Sequence, residues 1–131
     1  MPATQTLTKV TPVLYVEEIE PVLPFWVDRL GFTKAVEMPE GDRLGFVILQ
    51  KDGVEIMYQT RESVRNDVPA LESTPMGGAL LYVQVADLDA VARALEGIEP
   101  VVPRRQTFYG ADELIVREPA GNVVMFAHFA Q

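Results

Sequence analysis

The sequence predicts an α+β chain made of two copies of one unit, each running strand, helix and then three strands. Three observations carry that expectation. The order of elements starts again after Gly77-Gly78. Leu14-Tyr15-Val16-Glu17-Glu18-Ile19 lies over Val83-Gln84-Val85-Ala86-Asp87-Leu88 at an offset of 69, and Gly53 with Met57 lies over Gly121 with Met125 at an offset of 68. The chain also closes on a hairpin, Glu113 to Phe129, whose two apolar runs flank Pro119, Ala120, Gly121 and Asn122. Pro and Gly give that turn its geometry, and the turn sets which side chains of the last strand share a face. With period 2, Val123, Met125 and Ala127 form one row, and Val124, Phe126 and His128 the other.

Thr11 to Glu17 reads as a strand, with Pro12 at an end where a missing donor is tolerated. A helix follows from Pro21 to about Leu30, because Pro21 and Pro24 suit a first turn and Gly31 suits the stop. Phe32 to Met38, Arg43 to Gln50 and Val54 to Thr60 are strands, the last two joined at Asp52-Gly53. Arg61 to Pro75 is polar and broken by Pro69 and Pro75, so it reads as a linker with one helical turn around Leu71. Ala79 to Val85 is the next strand, and Asp87 caps a helix from Leu88 to Leu95 that Gly97 ends. Pro100 to Pro103 brackets a short strand, Tyr109 to Arg117 is another, and the closing strand follows Gly121. The result is a single domain, with a first module over about 8–60, a linker over 61–77 and a second module over about 78–130. The first match also admits a slip of two, since Leu-Tyr-Val recurs at Leu81 to Val83, but such a slip leaves every residue on its own face.

Composition narrows the function classes. Nineteen acidic against eleven basic side chains give a formal charge of −8, which repels phosphate backbones and speaks against nucleic-acid binding. A neutral or cationic small molecule is the better electrostatic match. There is no Cys, so disulfides, thiolate zinc sites and cysteine nucleophiles are excluded. The single histidine, His128, rules out a histidine-based triad or two-histidine site within one chain, and Ser63 and Ser73 lie in the polar linker without a nucleophile elbow. With no secretory pattern in Met1 to Lys9 and no apolar run long enough for a membrane, the expectation is a cytoplasmic protein without membrane contact.

The Leu-Tyr-Val-Glu-Glu-Ile-Glu opening, the Phe25, Trp26, Leu30, Gly31, Phe32 helix end and the Glu-Pro-Ala-Gly-Asn-Val-Val-Met-Phe close resemble the vicinal oxygen chelate superfamily, which contains glyoxalase I, extradiol dioxygenases, fosfomycin resistance enzymes and bleomycin resistance proteins. The resemblance implies paired βαβββ modules whose curved mixed sheets enclose a cleft, commonly within a homodimer. In metal-using members one position on the first and one on the fourth strand of each module carries His, Glu or Gln. Here those positions are Thr11 and Leu80 (Gly78 in the slipped register), with Met57 and Met125. None suits a hard or borderline divalent ion, so no metal and no cofactor are implied. The nearest match is the bleomycin resistance type, in which the cleft binds a drug without chemistry.

The same resemblance places Tyr15, Met57, Tyr82 and Met125 on the cleft faces, with Glu55 and Gln59 beside Met57 by strand period. Aromatic and thioether walls with one carboxylate suit an aromatic or cationic guest; filling of the core is the competing role. Trp26 fits a cleft wall, a dimer seam or simple packing on the sheet. Phe108 and Tyr109 precede Gly110 in a connection that serves either as a lid or as a plain turn. Arg104-Arg105 reads as a solvated strand end that could steady a carboxylate. Three functions follow: a metal-independent protein that binds and sequesters a cationic or aromatic compound as a homodimer; an enzyme of the same superfamily (lyase, isomerase or dioxygenase-like) using Glu55, its pKa raised in an apolar cleft, or an unrecognised metal site; or a structural dimer whose cleft is filled.

Overall fold

Alternation along the strands decides the layers. The structure, a computed structural model, describes residues 5–130. Its strands are β1 (Val13–Val16), β2 (Thr33–Glu40), β3 (Arg43–Lys51), β4 (Val54–Thr60), β5 (Leu80–Gln84), β6 (Arg105–Gln106), β7 (Ala111–Arg117) and β8 (Val123–Phe129). They form two four-stranded mixed sheets, ordered β1-β4-β3-β2 and β5-β8-β7-β6. Within each, the first strand runs parallel to the last and the remaining pairs are antiparallel. Val13 lies opposite Met57 and Tyr82 opposite Met125, so the two sheets superpose at offsets of 69 and 68, and the twin of Thr11 is Leu80 rather than Gly78.

One row of each sheet is buried. Leu14, Val16, Val47, Leu49, Ile56 and Tyr58 from the first sheet share a single apolar cluster with Leu114, Val116, Val124 and Phe126 from the second. Burying side chains of this kind contributes about 1.5–3 kcal/mol each, which fixes the strand registers. A polar thread crosses that cluster. The Trp26 indole Nε1 donates to the Tyr58 hydroxyl (2.8 Å), which donates in turn to Glu118 Oε2 just beyond β7. Glu118 Oε1 accepts from the backbone N–H of Asn122 (2.7 Å), and Asn122 Oδ1 accepts from that of Ala79 (3.0 Å). Glu118 and Asn122 are almost wholly buried, so the turn after β7 is held by bonds that water does not compete for. Burial, reinforced by the adjacent Glu118 charge, pushes the Tyr58 phenol far above its ordinary pKa.

Three elements differ from the sequence expectation. The Pro21–Leu30 helix is a 3-10 turn, Glu20–Val22, followed by a π-helical stretch, Pro24–Arg29. Pro24 lacks the N–H that a continuous α-helix would use there. The supposed linker contains α1 (Arg61–Asp67), started by Thr60, whose side chain accepts from the Ser63 N–H at 3.2 Å, and then a 3-10 turn at Pro69–Leu71. The strand expected between Pro100 and Pro103 falls instead at Arg105–Gln106, because two prolines leave that stretch short of donors and it retains a bond from Val101 N to Ile115 O. The second long helix, α2 (Leu88–Ala94), begins at Asp87, whose carboxylate accepts from the Ala90 N–H.

Candidate functional site

The rows that do not enter the core form two open faces, one per sheet. On the first, Tyr15, Glu55, Met57 and Gln59 lie together and are half-buried, with Val13 opposite Met57 and Phe46 opposite Gln59. On the second, Tyr82 and Met125 are direct neighbours across the β5–β8 pair, and Ile115 faces Met125 from β7. Leu80, Tyr82 and Val13, on the edge strands β5 and β1, remain 68%, 42% and 50% exposed and put apolar surface on the open faces.

Trp26 lies elsewhere. It is fully buried on the opposite side of the first sheet, edge-on to Phe25 and Phe32 with centroids 5.0 and 5.1 Å away. Phe108 is completely exposed, in edge contact with Tyr109. Tyr109 turns back to the second sheet, where its ring lies 6.2 Å from that of Phe129 and its hydroxyl reaches Glu113.

Each face carries a carboxylate already matched by a cation of the chain. Glu55 receives Lys9 Nζ at 2.8 Å, Gln50 Nε2 at 2.5 Å and the Thr11 hydroxyl at 3.1 Å. These bonds, Lys9 foremost, hold its carboxyl below the usual carboxylate range. That is the reverse of the raised value an acid/base role for Glu55 calls for. On the second face, Glu113 is 1% exposed. Its Oε2 accepts from the hydroxyls of Tyr82 (2.7 Å) and Tyr109 (2.8 Å), and its Oε1 from Arg105 Nε (3.1 Å) and Nη2 (2.9 Å). The Tyr82 bond leads in lowering the Glu113 pKa, with Tyr109 and Arg105 adding to it, while burial pushes the Tyr82 phenol upward. On the first face, the Arg61 guanidinium stands 6.0 Å over the Tyr15 ring, whose hydroxyl donates to the Glu72 carbonyl.

Arg105, which the sequence reads as a solvated strand end that could steady a carboxylate, does so here, and its partner Glu113 is a site residue that the sequence reading does not single out. The signal for Glu113 was present in the strand period, which puts it in the row of Ile115 and opposite Ala127, next to Met125. Arg104 and Arg105 do alternate faces: Arg104 pairs with Asp89 and Asp112 in solvent, and Arg105 turns to Glu113. His128 Nδ1 lies 3.1 Å from the Val85 carbonyl oxygen and takes no part in either face.

Thr11, Met57, Leu80 and Met125 offer one hydroxyl, already bonded to Glu55, together with two thioethers and an alkyl group. Such a set does not fit a hard or borderline divalent ion. Among the described residues no three His, Cys, Asp or Glu side chains gather in a metal-holding group. Two hollows in the single chain lie apart from Tyr82 and Met125. One of about 480 Å³ runs between Leu30, Phe32 and the α2 side of the second half, and one of about 550 Å³ borders Lys9, Gln50 and Glu55.

No helix among the described residues is long and apolar enough to cross a membrane. No curated protein sequence matches the chain at a significant level. Solved structures do. A glyoxalase/bleomycin resistance protein/dioxygenase from Nocardioides is 21% identical, with a TM-score of 0.71 over 98% of this chain and 87% of its own. The bleomycin-binding protein of bleomycin-producing Streptomyces verticillus, solved with copper(II)-bleomycin, is 22% identical with a TM-score of 0.65 over 98% and 100%. TnmS3, an antibiotic-binding protein from Streptomyces sp. CB03234, is 16% identical with a TM-score of 0.65 over 96% and 100%. At these identities the likeness concerns the fold. A family model matches residues 7–126, nearly the whole sequence, and the chain therefore belongs to the Glyoxalase/Bleomycin resistance protein/Dioxygenase superfamily.

Proposed function

We propose that this chain is a metal-independent binding protein of the bleomycin resistance type that sequesters a cationic or aromatic small molecule in the cytoplasm. The observation that carries the reading is the pairing on each open face of an aromatic or thioether wall with a carboxylate that already holds a side-chain cation, Lys9 on Glu55 and Arg105 on Glu113. Faces that satisfy their own charge with internal cations are suited to exchanging them for an external one, and tyrosine and methionine supply the stacking and sulfur contacts such a guest needs. The Streptomyces neighbours, whose bound or named ligands are antibiotics, support the same reading. A homodimer goes with it, since each face in one chain is open and a second copy would convert two faces into an enclosed cleft.

Titration calorimetry with bleomycin and with aromatic amines tests the reading, alongside metal analysis of the purified protein. Saturable binding by metal-free protein is the expected result. Absence of binding across both ligand classes, or one tightly held transition metal per chain, would overturn it. The Glu55 carboxyl, held low chiefly by Lys9, lacks the raised pKa that would support an acid/base role for that residue.

A further inference from the structure

We propose that Glu113 is the anchor for a guanidinium or amidinium group on the guest, and that Arg105 is an intramolecular stand-in which the guest displaces. The inference deepens the binding reading above and rests on it. Glu113 is covered by its own partners, Tyr82, Tyr109 and Arg105, to 1% exposure, and a carboxylate shut off from water in this way needs a counter-charge to stay ionised. Its partners divide cleanly. Tyr82 and Tyr109 are neutral donors and fill Oε2, whereas Arg105 alone brings positive charge and fills Oε1 with two N–H groups. The position therefore requires a cation whose N–H groups converge on one oxygen, which is what a planar guanidinium or amidinium offers and a compact ammonium matches less well.

Arg105 is also the partner easiest to remove. Its side chain is 54% exposed, against 1% for Glu113. It stands on β6, a two-residue strand at the outer edge of its sheet, held to β7 through its pairing with Glu113 and that of Gln106 with Asp112. Edge pairing this short opens at little cost. The residues that would meet the rest of the guest are in place. Tyr109 lies beside the anchor against Phe129, Phe108 extends from the same loop, and Met125 adjoins Tyr82. When Arg105 swings out, its guanidinium passes into water while the incoming cation takes over Oε1, so the buried carboxylate keeps a counter-charge.

Benzamidine, benzylamine and benzamide share a ring and differ in the head group, so they are suitable probes. Calorimetry on the full chain should show benzamidine binding Arg105→Ala at least tenfold more tightly than the wild type, benzylamine more weakly than benzamidine, and benzamide not at all. Adding Glu113→Gln to Arg105→Ala should abolish the benzamidine signal. Should Arg105→Ala not fold, Arg105→Lys keeps the charge but loses the fork, and should bind benzamidine more tightly than wild type. Equal benzamidine affinity in wild type and Arg105 variants, or binding indifferent to Glu113→Gln, would overturn the exchange. If bleomycin or aromatic amines bind the wild type while Arg105 and Glu113 variants leave their affinities unchanged, the exchange fails and the binding reading survives. If benzamidine binds Arg105→Ala through Glu113 but the wild type takes none of the larger guests, the anchor stands and the guest reading fails.

Discussion

Tyr58 shows how much one side chain can carry. Its ring belongs to the core, while its hydroxyl accepts from Trp26 and donates to Glu118, so it joins the helical segment, the first sheet and the turn of the second. Tyr58→Phe keeps the ring and strands a buried indole N–H and a buried carboxylate oxygen. The expected loss is about 1–3 kcal/mol in denaturant unfolding at neutral pH. The pH dependence has a definite sign. The folded phenol has a raised pKa, so its stabilisation is fully present below the unfolded value of about 10 and is lost progressively as pH climbs above it. Tyr58→Phe should flatten that alkaline limb, which unfolding curves measured on both sides of about pH 10 would reveal. The partners of Tyr58 were not legible from sequence, because a hydrogen bond spanning 60 positions leaves no local pattern. Glu113 was hidden for a different reason: a charged residue in a strand ordinarily marks solvent, and here its open-face row is covered by Tyr82, Tyr109 and Arg105.

At the scale of elements, what was legible followed local chemistry. Strands with a strict period of 2, the Asp52-Gly53 and Gly121 turns and the Asp87 cap occur where the residues place them. Segments that depend on donors counted over several residues did not follow the simple reading, as Pro24 and the Pro100–Pro103 stretch show. The helix α1 escaped notice because its apolar content is little more than Val64, its one buried residue, and its start rests on a Thr60 cap rather than on periodicity. The turn before β8 gives a sharp test. Gly121 has φ of +93°, its N–H donates to the Glu118 carbonyl, and the following Asn122 fastens both Glu118 and Ala79. Gly121→Ala should cost on the order of 1 kcal/mol or more, although its Cβ would meet nothing closer than 3.8 Å. A Tm lowered by several degrees is the expected readout, and an unchanged Tm would mean the turn relaxes freely.

For the whole molecule, the sequence repeat corresponds to two sheets of the same order, joined through one shared core. What a single chain leaves uncovered is equally informative. Leu80, Val13, Tyr82 and Met38, between 42% and 68% exposed, lie in the uncovered rows of the two sheets. If a second copy covers those rows, Leu80→Glu should convert a dimer to a monomer in sedimentation equilibrium, leaving the circular dichroism of the fold intact. A wild type that sediments as a monomer throughout the micromolar range would refute the shared cleft. The net charge of −8 sets a further condition, since two such chains repel and their association should strengthen with added salt.

The bond between Tyr58 and Glu118 also bears on dividing the gene. A cut in the exposed Ser73–Pro75 stretch would put the phenol on one polypeptide and its acceptor on the other, each with half of an apolar interior laid bare. Neither piece should then persist by itself, whereas the two expressed together have complementary surfaces ready to reunite. The protein thus offers a natural break point for a split reporter, in which recovery of the fold reports that the fragments have met.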